Sequence, residues 1–150
     1  MGDSELESLR RQIDDIDEQL LKLFNQRAEC ALKVAEVKKR ELEPDQRVDF
    51  FRPEREAQVI KHIKQLNQGP LSDKEVARLI REVMSACLAL EQPLKIAYLG
   101  PEGTFTQAAA LKHFGHSVDT VALSCIPDVF SEVESGHADF GLVPVENSTE

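Results

Sequence analysis

The sequence contains no tryptophan, one tyrosine and only three cysteines in 150 residues. Cys30, Cys87 and Cys125 are far apart and form no C-x-x-C pair, so neither a disulfide framework nor a zinc site is expected. Reduced thiols of this kind are typical of cytoplasmic proteins, and we predict that location. No segment approaches the roughly 18 consecutive apolar residues of a membrane span, and the first residues lack the apolar core of a signal peptide, so no membrane partner is expected.

Basic residues are also scarce relative to acidic ones. The chain has 18 Lys and Arg against 27 Asp and Glu, which gives a formal net charge of -9. Because nucleic-acid binding requires a broad basic face, this balance argues against a nucleic-acid partner. Any anion that the protein binds must therefore meet a local cluster of cations.

Glycine and proline are absent from a long stretch that ends at Pro44. Ser4 and Glu7 form a capping-box pattern at its start, and apolar residues then recur at alternating steps of three and four. We therefore predict one helix of nearly forty residues, about 60 Å long, which is longer than a 150-residue globule can cover by itself. The apolar positions are Leu6, Leu9, Ile13, Ile16, Leu20, Leu23, Cys30, Val34 and Val37.

Two further helices are predicted in the middle of the chain. Pro53 is a favourable first-turn residue for the second helix, which we expect to end near the Gly-Pro pair at 69–70. The third helix is expected to begin at the capping box of Ser72 and Glu75 and to end before Pro93. The first 93 residues are thus predicted to form an all-α domain of three helices.

After Pro93 short strands and helices alternate. "LKIAYLG", "TVALS" and "FGLVPVE" are predicted strands, and "TFTQAAALKHFG" and "IPDVFSEVESG" are predicted helices. In the first of these helices, Thr104 and Gln107 form a capping-box pattern and Gly115 is the expected stop. Strand-helix alternation predicts a parallel α/β sheet, so we expect a second, incomplete α/β lobe over residues 94–150.

Two cations lie on or beside the apolar face of the first helix. Arg27 interrupts the apolar series, and Lys38 lies eleven residues later, about 16 Å along the axis. They either extend to solvent and pair with neighbouring glutamates, or form an anion site inside a helical bundle. Arg10 is about 25 Å from Arg27 on the same helix, so a ligand could meet all three only if a second copy paired antiparallel about a dyad near Leu21.

The loop "GPEGTFT" before the fourth helix is either a carboxylate-binding helix N-terminus or an ordinary tight turn. The same alternatives apply to "PVENST" after the third strand. His113 and His116 are three residues apart, but Gly115 ends the helix between them, so no metal site is expected.

These motifs together carry a family resemblance. "LRRQIDDIDEQLLKLFNQRAECALKVAEVK", "FRPERE" and "MSACLALEQ" resemble the all-helical chorismate mutases, and "IAYLGPEGTFTQAAA" and "GLVPVENST" resemble the opening of a prephenate dehydratase domain. In this order they resemble the bifunctional mutase/dehydratases of phenylalanine biosynthesis. The resemblance implies an intertwined homodimer of three-helix mutase domains, followed by the start of a periplasmic-binding-protein-like lobe.

The resemblance assigns the cations of the first helix to chorismate, the substrate of the mutase. Arg27 and Arg10 of the second copy would bind its two carboxylates. Lys38 would hydrogen-bond one carboxylate and the ether oxygen whose bond breaks.

Residues of the second and third helices would complete this site. Glu56 would accept the substrate hydroxyl, with Arg55 beside it, although first-turn carboxylates also simply complement the helix dipole. Glu91 would reach the ether oxygen from the opposite side, and can do so only when protonated. Cys87 occupies a position that commonly carries a small hydroxyl residue.

One further position departs from the family pattern. A carboxylate sometimes found four residues before the equivalent of Glu56 is replaced by Arg52, and Asp49 is a possible substitute.

The Claisen rearrangement of chorismate requires no nucleophile, metal or cofactor, and none is expected. The protein must only hold the compact conformer and stabilise charge on the ether oxygen.

For the dehydratase part, the resemblance implies a prephenate cleft lined by two short loops. A second lobe, a Thr-Arg-Phe motif and a phenylalanine-sensing domain would all follow residue 150, so dehydratase activity is expected only in a longer chain. Two other functions stay open, namely a non-catalytic helical dimerisation module and a carboxylate sensor. The cleft residues would be Glu102, Gly103, Thr104, Asn147, Ser148 and Thr149.

Overall fold

The computed structural model describes residues 2–46 and 51–145. The chain divides into two compact units, Met1–Gln46 and Arg47–Glu150. Over the described residues, the first unit contains one helix, and the second contains four helices and three strands. In chain order the elements are α1 (Gly2–Glu41), α2 (Pro53–Leu66), α3 (Asp73–Glu91), β1 (Lys95–Leu99), α4 (Phe105–Phe114), β2 (Asp119–Leu123), α5 (Ile126–Glu134) and β3 (Phe140–Leu142).

The first unit confirms the long helix that the sequence predicts. Helix α1 has 40 residues, which corresponds to about 60 Å. It begins at Gly2, so Ser4 lies inside the helix and the expected N-cap at Ser4 is wrong. Three basic residues in the last turn complement the negative end of the helix dipole, namely Lys38, Lys39 and Arg40.

Helices α2 and α3 pack against each other in the second unit. Helix α2 begins at Pro53, as predicted, and Glu54 and Glu56 in its first turn complement the positive end of its dipole. The capping box of α3 is confirmed, because the Ser72 hydroxyl accepts a hydrogen bond from the backbone N–H of Glu75 at 3.2 Å.

The three strands form a parallel sheet in the order β2-β1-β3, which confirms the predicted α/β arrangement. Strand β1 is central and its middle residues Ile96, Ala97 and Tyr98 are at most 1% exposed. Successive side chains of a strand point to opposite faces, so Ile96 packs in one hydrophobic cluster and Ala97 in another.

The cluster around Ile96 includes a residue from outside the lobe. Phe51, two residues before α2, is buried with Leu94, Ile96 and Phe114. Its ring lies 5.5 Å from that of Phe114 and 5.3 Å from that of Phe140, so three phenylalanines form one aromatic group. The chain just before the first turn of α2 is therefore anchored in the α/β lobe.

Helix α4 begins and ends where the sequence predicts, but its N-terminal capping hydrogen bonds differ from the expected ones. Gly115 is its C-cap with φ +81°, a conformation that favours glycine. Thr104 is the N-cap residue, yet its hydroxyl makes no capping bond and instead donates to the Leu99 carbonyl at 3.4 Å. The expected capping box of Thr104 and Gln107 is therefore wrong, because the Gln107 side chain accepts from the Gly103 N–H at 2.6 Å instead.

Candidate active site

All three cations that the sequence singles out in the first unit lie on α1. Arg10 and Arg27 are exposed in the single chain. Seventeen residues separate them on a continuous helix, which corresponds to about 25 Å. The same α1 therefore cannot bring both guanidinium groups to one small ligand.

In the second unit, the first turn of α2 carries Arg55 and Glu56. The backbone N–H of Glu56 donates to the Arg52 carbonyl at 3.1 Å, which closes this first turn. Arg55 is exposed, whereas the Glu56 side chain is only 19% exposed. The helix thus fixes one carboxylate in a largely desolvated position at its N-terminal end.

Glu56 meets a cation from the neighbouring helix. Arg81 Nε lies 3.5 Å from Glu56 Oε1, and the Arg81 side chain is 29% exposed. This Nε–H is buried and donates no hydrogen bond to any residue that the structure describes. Sequence analysis missed Arg81, since the only available signal was a cation within the apolar run at 79–84.

Arg81 also borders a shallow groove between α2 and α3 of about 540 Å³. Its apolar floor comes from Ala57 and Ile60. Its remaining lining residues are Lys61, Lys64, Gln65, Asp73 and Arg81.

Cys87 and Glu91 lie one turn apart on α3, so they share a face of the helix. Cys87 is 6% exposed, and Glu91, the last residue of the helix, is partly exposed. These two residues are therefore neighbours on α3, and their contact with a substrate stays a prediction.

Glu102, Gly103 and Thr104 form the loop between β1 and α4, at the carboxyl end of the central strand. This is the edge at which open α/β sheets bind ligands. The Gly103 N–H donates a hydrogen bond to the Gln107 side chain, so a ligand carboxylate would have to displace Gln107 to accept from it. Burial and the charge of Glu102 raise the pKa of Tyr98, which means that Glu102 lies within electrostatic reach of the phenol.

The remaining candidates lie outside the described residues. They are Asn147, Ser148 and Thr149, the second half of the predicted cleft, and Asp49, the possible substitute carboxylate. Within residues 2–46 and 51–145, no helix is long and apolar enough to cross a membrane.

Sequence comparison identifies the family of this chain. The helices of that family would carry Arg10, Arg27, Lys38 and Glu56, and a parallel α/β sheet follows them in the chain. A profile of the family described as chorismate mutase type II matches residues 9–92, and a profile of prephenate dehydratase matches residues 96–150. The chain belongs to the chorismate mutase type II family.

Curated relatives carry both parts. The chain is 62% identical over 146 residues to the bifunctional chorismate mutase/prephenate dehydratase of Pseudomonas aeruginosa, covering 97% of this chain and 40% of the relative. The enzyme of the same name from Neisseria gonorrhoeae is 53% identical, with 94% and 37% covered. That of Escherichia coli K12 is 27% identical, with 99% and 42% covered. The resemblance to this bifunctional family is confirmed, and the chain spans about 40% of the length of these relatives.

Proposed function

We propose that the protein is a chorismate mutase, an isomerase that converts chorismate to prephenate in phenylalanine biosynthesis. The observation that carries this proposal is the match of residues 9–92 to the chorismate mutase type II family. Helices of that region carry Arg10, Arg27, Lys38, Arg55, Glu56, Cys87 and Glu91. The 62% identity to a bifunctional chorismate mutase/prephenate dehydratase supports the same activity.

The residues of α1 suit the binding of a dianion. Arg27 and Arg10 of a second copy bind the two carboxylates, because a planar guanidinium group can grip a carboxylate through two hydrogen bonds. Lys38 contacts one carboxylate and the ether oxygen. Together these contacts hold the compact conformer in which the rearranging carbons are close.

Residues of α2 and α3 act on the rest of the substrate. Glu56, flanked by Arg55, accepts the hydrogen bond of the substrate hydroxyl, and Cys87 is a further substrate-binding residue. Glu91, when protonated, donates to the ether oxygen, which gains negative charge as its bond to carbon breaks. An ionised Glu91 would repel that charge. No nucleophile or cofactor takes part in this reaction.

We infer a homodimer with shared active sites. A stripe of apolar side chains along α1 is 42–58% exposed in the single chain, and a second copy of α1 would bury it. Antiparallel pairing about Leu21 would bring Arg10 of one copy opposite the span from Arg27 to Lys38 of the other. The stripe comprises Leu6, Leu9, Ile13, Ile16, Leu20 and Leu23.

The α/β part of the chain, residues 94–150, is proposed to be the start of a periplasmic-binding-protein-like lobe. Glu102, Gly103 and Thr104 would line one side of its prephenate cleft, with 147–149 beside them. The match of residues 96–150 to prephenate dehydratase supports this assignment. Dehydratase activity is proposed for a longer chain that supplies the rest of the cleft. The three unpaired cysteines support a cytoplasmic location.

A spectrophotometric assay of chorismate disappearance tests the proposed activity. Only a mutase consumes chorismate, whereas a dimerisation module or a carboxylate sensor leaves it intact. Sedimentation equilibrium tests the dimer separately, since a monomer at micromolar concentration would contradict shared sites.

A further inference from the structure

We propose that Arg81 is a positioning residue for Glu56, and that it acts on chorismate through the carboxylate that receives the substrate hydroxyl. This inference rests on the mutase function proposed above. The family resemblance assigns no role to Arg81, which lies on α3.

The geometry supports a specific pairing between the two side chains. Arg81 Nε lies 3.5 Å from Glu56 Oε1, and both side chains are mostly buried. A carboxylate on the first turn of a helix can adopt several rotamers, and each must compete with water for its contacts. A cation beside one oxygen favours a single orientation and leaves the other oxygen to accept a hydrogen bond from a ligand.

Solvation explains why this pairing holds Glu56 in place. The Arg81 Nε–H is buried and makes no hydrogen bond to any part of the chain that the structure describes. A buried donor of this kind is costly unless an acceptor approaches it. Glu56 Oε1 is the carboxylate oxygen within reach, so a small shift of either side chain would satisfy the donor when the site closes around a substrate.

The backbone around Arg81 is itself fixed. The next turn of α3 carries Ser85, which is buried and whose hydroxyl accepts a hydrogen bond from the Ser117 N–H at 3.3 Å. Glu82 accepts a hydrogen bond from the His116 N–H at 3.1 Å. The turn after α4 therefore holds this part of α3, and Arg81 projects from a supported segment.

This role predicts a particular kinetic signature. The substrate hydroxyl takes no part in bond breaking, so Glu56 binds it equally in the ground and transition states. Loss of Arg81 should therefore raise KM with little change in kcat. We expect Arg81→Met to raise KM for chorismate about tenfold, the order expected for one weakened charged hydrogen bond, and Arg81→Lys to restore most of that loss.

The test compares four proteins in steady-state kinetics, namely wild type, Arg81→Met, Arg81→Lys and Arg78→Met. Arg78 is the matched control, because it lies on α3 in an exposed pair with Glu75 at 2.9 Å. Its variant should keep the wild-type KM. Thermal unfolding of each variant identifies any general loss of structure.

A chorismate analogue that lacks the ring hydroxyl makes the test specific. If Arg81 acts through Glu56, wild type and Arg81→Met should bind this analogue with equal inhibition constants. Arg81→Met in a Glu56→Gln background should likewise add little to the KM of Glu56→Gln. An unchanged KM in Arg81→Met, or an equal defect toward the analogue, overturns this inference alone. A wild-type protein without turnover overturns the proposed function and this inference with it.

Discussion

His116 Nδ1 lies 2.7 Å from Glu82 Oε1, and the His116 backbone N–H donates to the other oxygen of the same carboxylate. This contact joins α3, which carries Cys87 and Glu91, to the turn between α4 and β2. We expect this contact to make the stability of the protein depend on pH.

Burial raises the pKa of Glu82, but the two hydrogen bonds and the charge of His116 outweigh that effect, so its pKa lies below the usual 4.5. A lowered pKa in the folded state stabilises the protein above 4.5, and this stabilisation is lost as the pH falls through the lowered pKa. We expect the difference in unfolding free energy between wild type and Glu82→Gln to shrink as the pH falls through the lowered pKa of Glu82. Urea unfolding at a series of pH values measures it.

The control compares the His116→Ala variant with the double variant that carries both His116→Ala and Glu82→Gln. Removing the imidazole and its charge should reduce the acid-dependent difference between proteins with and without the Glu82→Gln substitution. If the effect of Glu82→Gln on the unfolding free energy has the same pH dependence with and without His116, then His116 does not lower the pKa of Glu82.

Phe51 should contribute strongly to stability although it lies outside every helix and strand. Phe51→Ala removes a ring that is 7% exposed and in contact with Phe114 and Phe140, so it should cost about 3–5 kcal/mol of unfolding free energy. Phe105→Ala is the matched control. Its ring is 96% exposed, and we expect a change within about 0.5 kcal/mol. If the two substitutions lower the unfolding free energy equally in urea, Phe51 does not anchor the segment before α2.

A side chain at Gly115 should be more destabilising than one at Gly103. A Cβ there would lie 2.5 Å from Ser85 Cβ, and its φ of +81° is unfavourable for alanine. Gly103 has a similar φ of +83° but no atom within 4 Å of its Cβ position. Gly103→Ala should therefore cost about 1–2 kcal/mol from backbone strain alone. Gly115→Ala should cost roughly 1–3 kcal/mol more through steric overlap.

A second substitution separates the two causes at Gly115. Ser85→Gly removes the overlapping atoms, so relative to the Ser85→Gly single variant the Gly115→Ala substitution should cost only the backbone strain. Thermal or urea unfolding of the single and double variants measures this. Equal stabilities of Gly115→Ala and Gly103→Ala would mean that α3 and the turn at Gly115 are not in close contact.

A shared active site predicts complementation between two inactive variants. Arg10→Ala and Arg27→Ala should each lose most activity, since each removes one carboxylate contact from every site. A hybrid dimer would contain one site with both arginines intact, so refolding an equal mixture should restore about a quarter of wild-type activity. Turnover measured before and after joint refolding checks this. No recovery, with hybrid dimers shown to form, would contradict a site built from two chains.

Much of the fold is predictable from local patterns. The apolar periodicity of α1, Pro53 at the start of α2, Ser72 as the cap of α3 and the alternation of strands and helices all correspond to observed elements. The expected N-cap at Ser4 was wrong, and Thr104 is the N-cap residue of α4 but lacks the expected capping-box hydrogen bonds. A capping pattern shows that a bond is possible, whereas the surrounding chain decides whether the side chain makes it.

The contacts that position the candidate site residues were less predictable from the sequence. Arg55, Glu56, Cys87 and Glu91 were identified through family motifs, and their contacts with substrate stay predictions. Arg81 was missed because a cation on a helix usually faces solvent, and only the packing of α2 on α3 brings it to Glu56. The role of Phe51 depends on contacts with phenylalanines 63 and 89 positions later in the chain.

The most direct test of the account measures chorismate consumption and prephenate formation by wild type and Lys38→Ala, without added metal or cofactor. We expect wild type to convert chorismate to an equal amount of prephenate. Lys38→Ala should be about 10²–10³-fold slower in kcat, as for loss of one hydrogen-bond donor to a developing oxyanion. A wild-type protein that leaves chorismate unchanged, or a Lys38→Ala variant as fast as wild type, would contradict it.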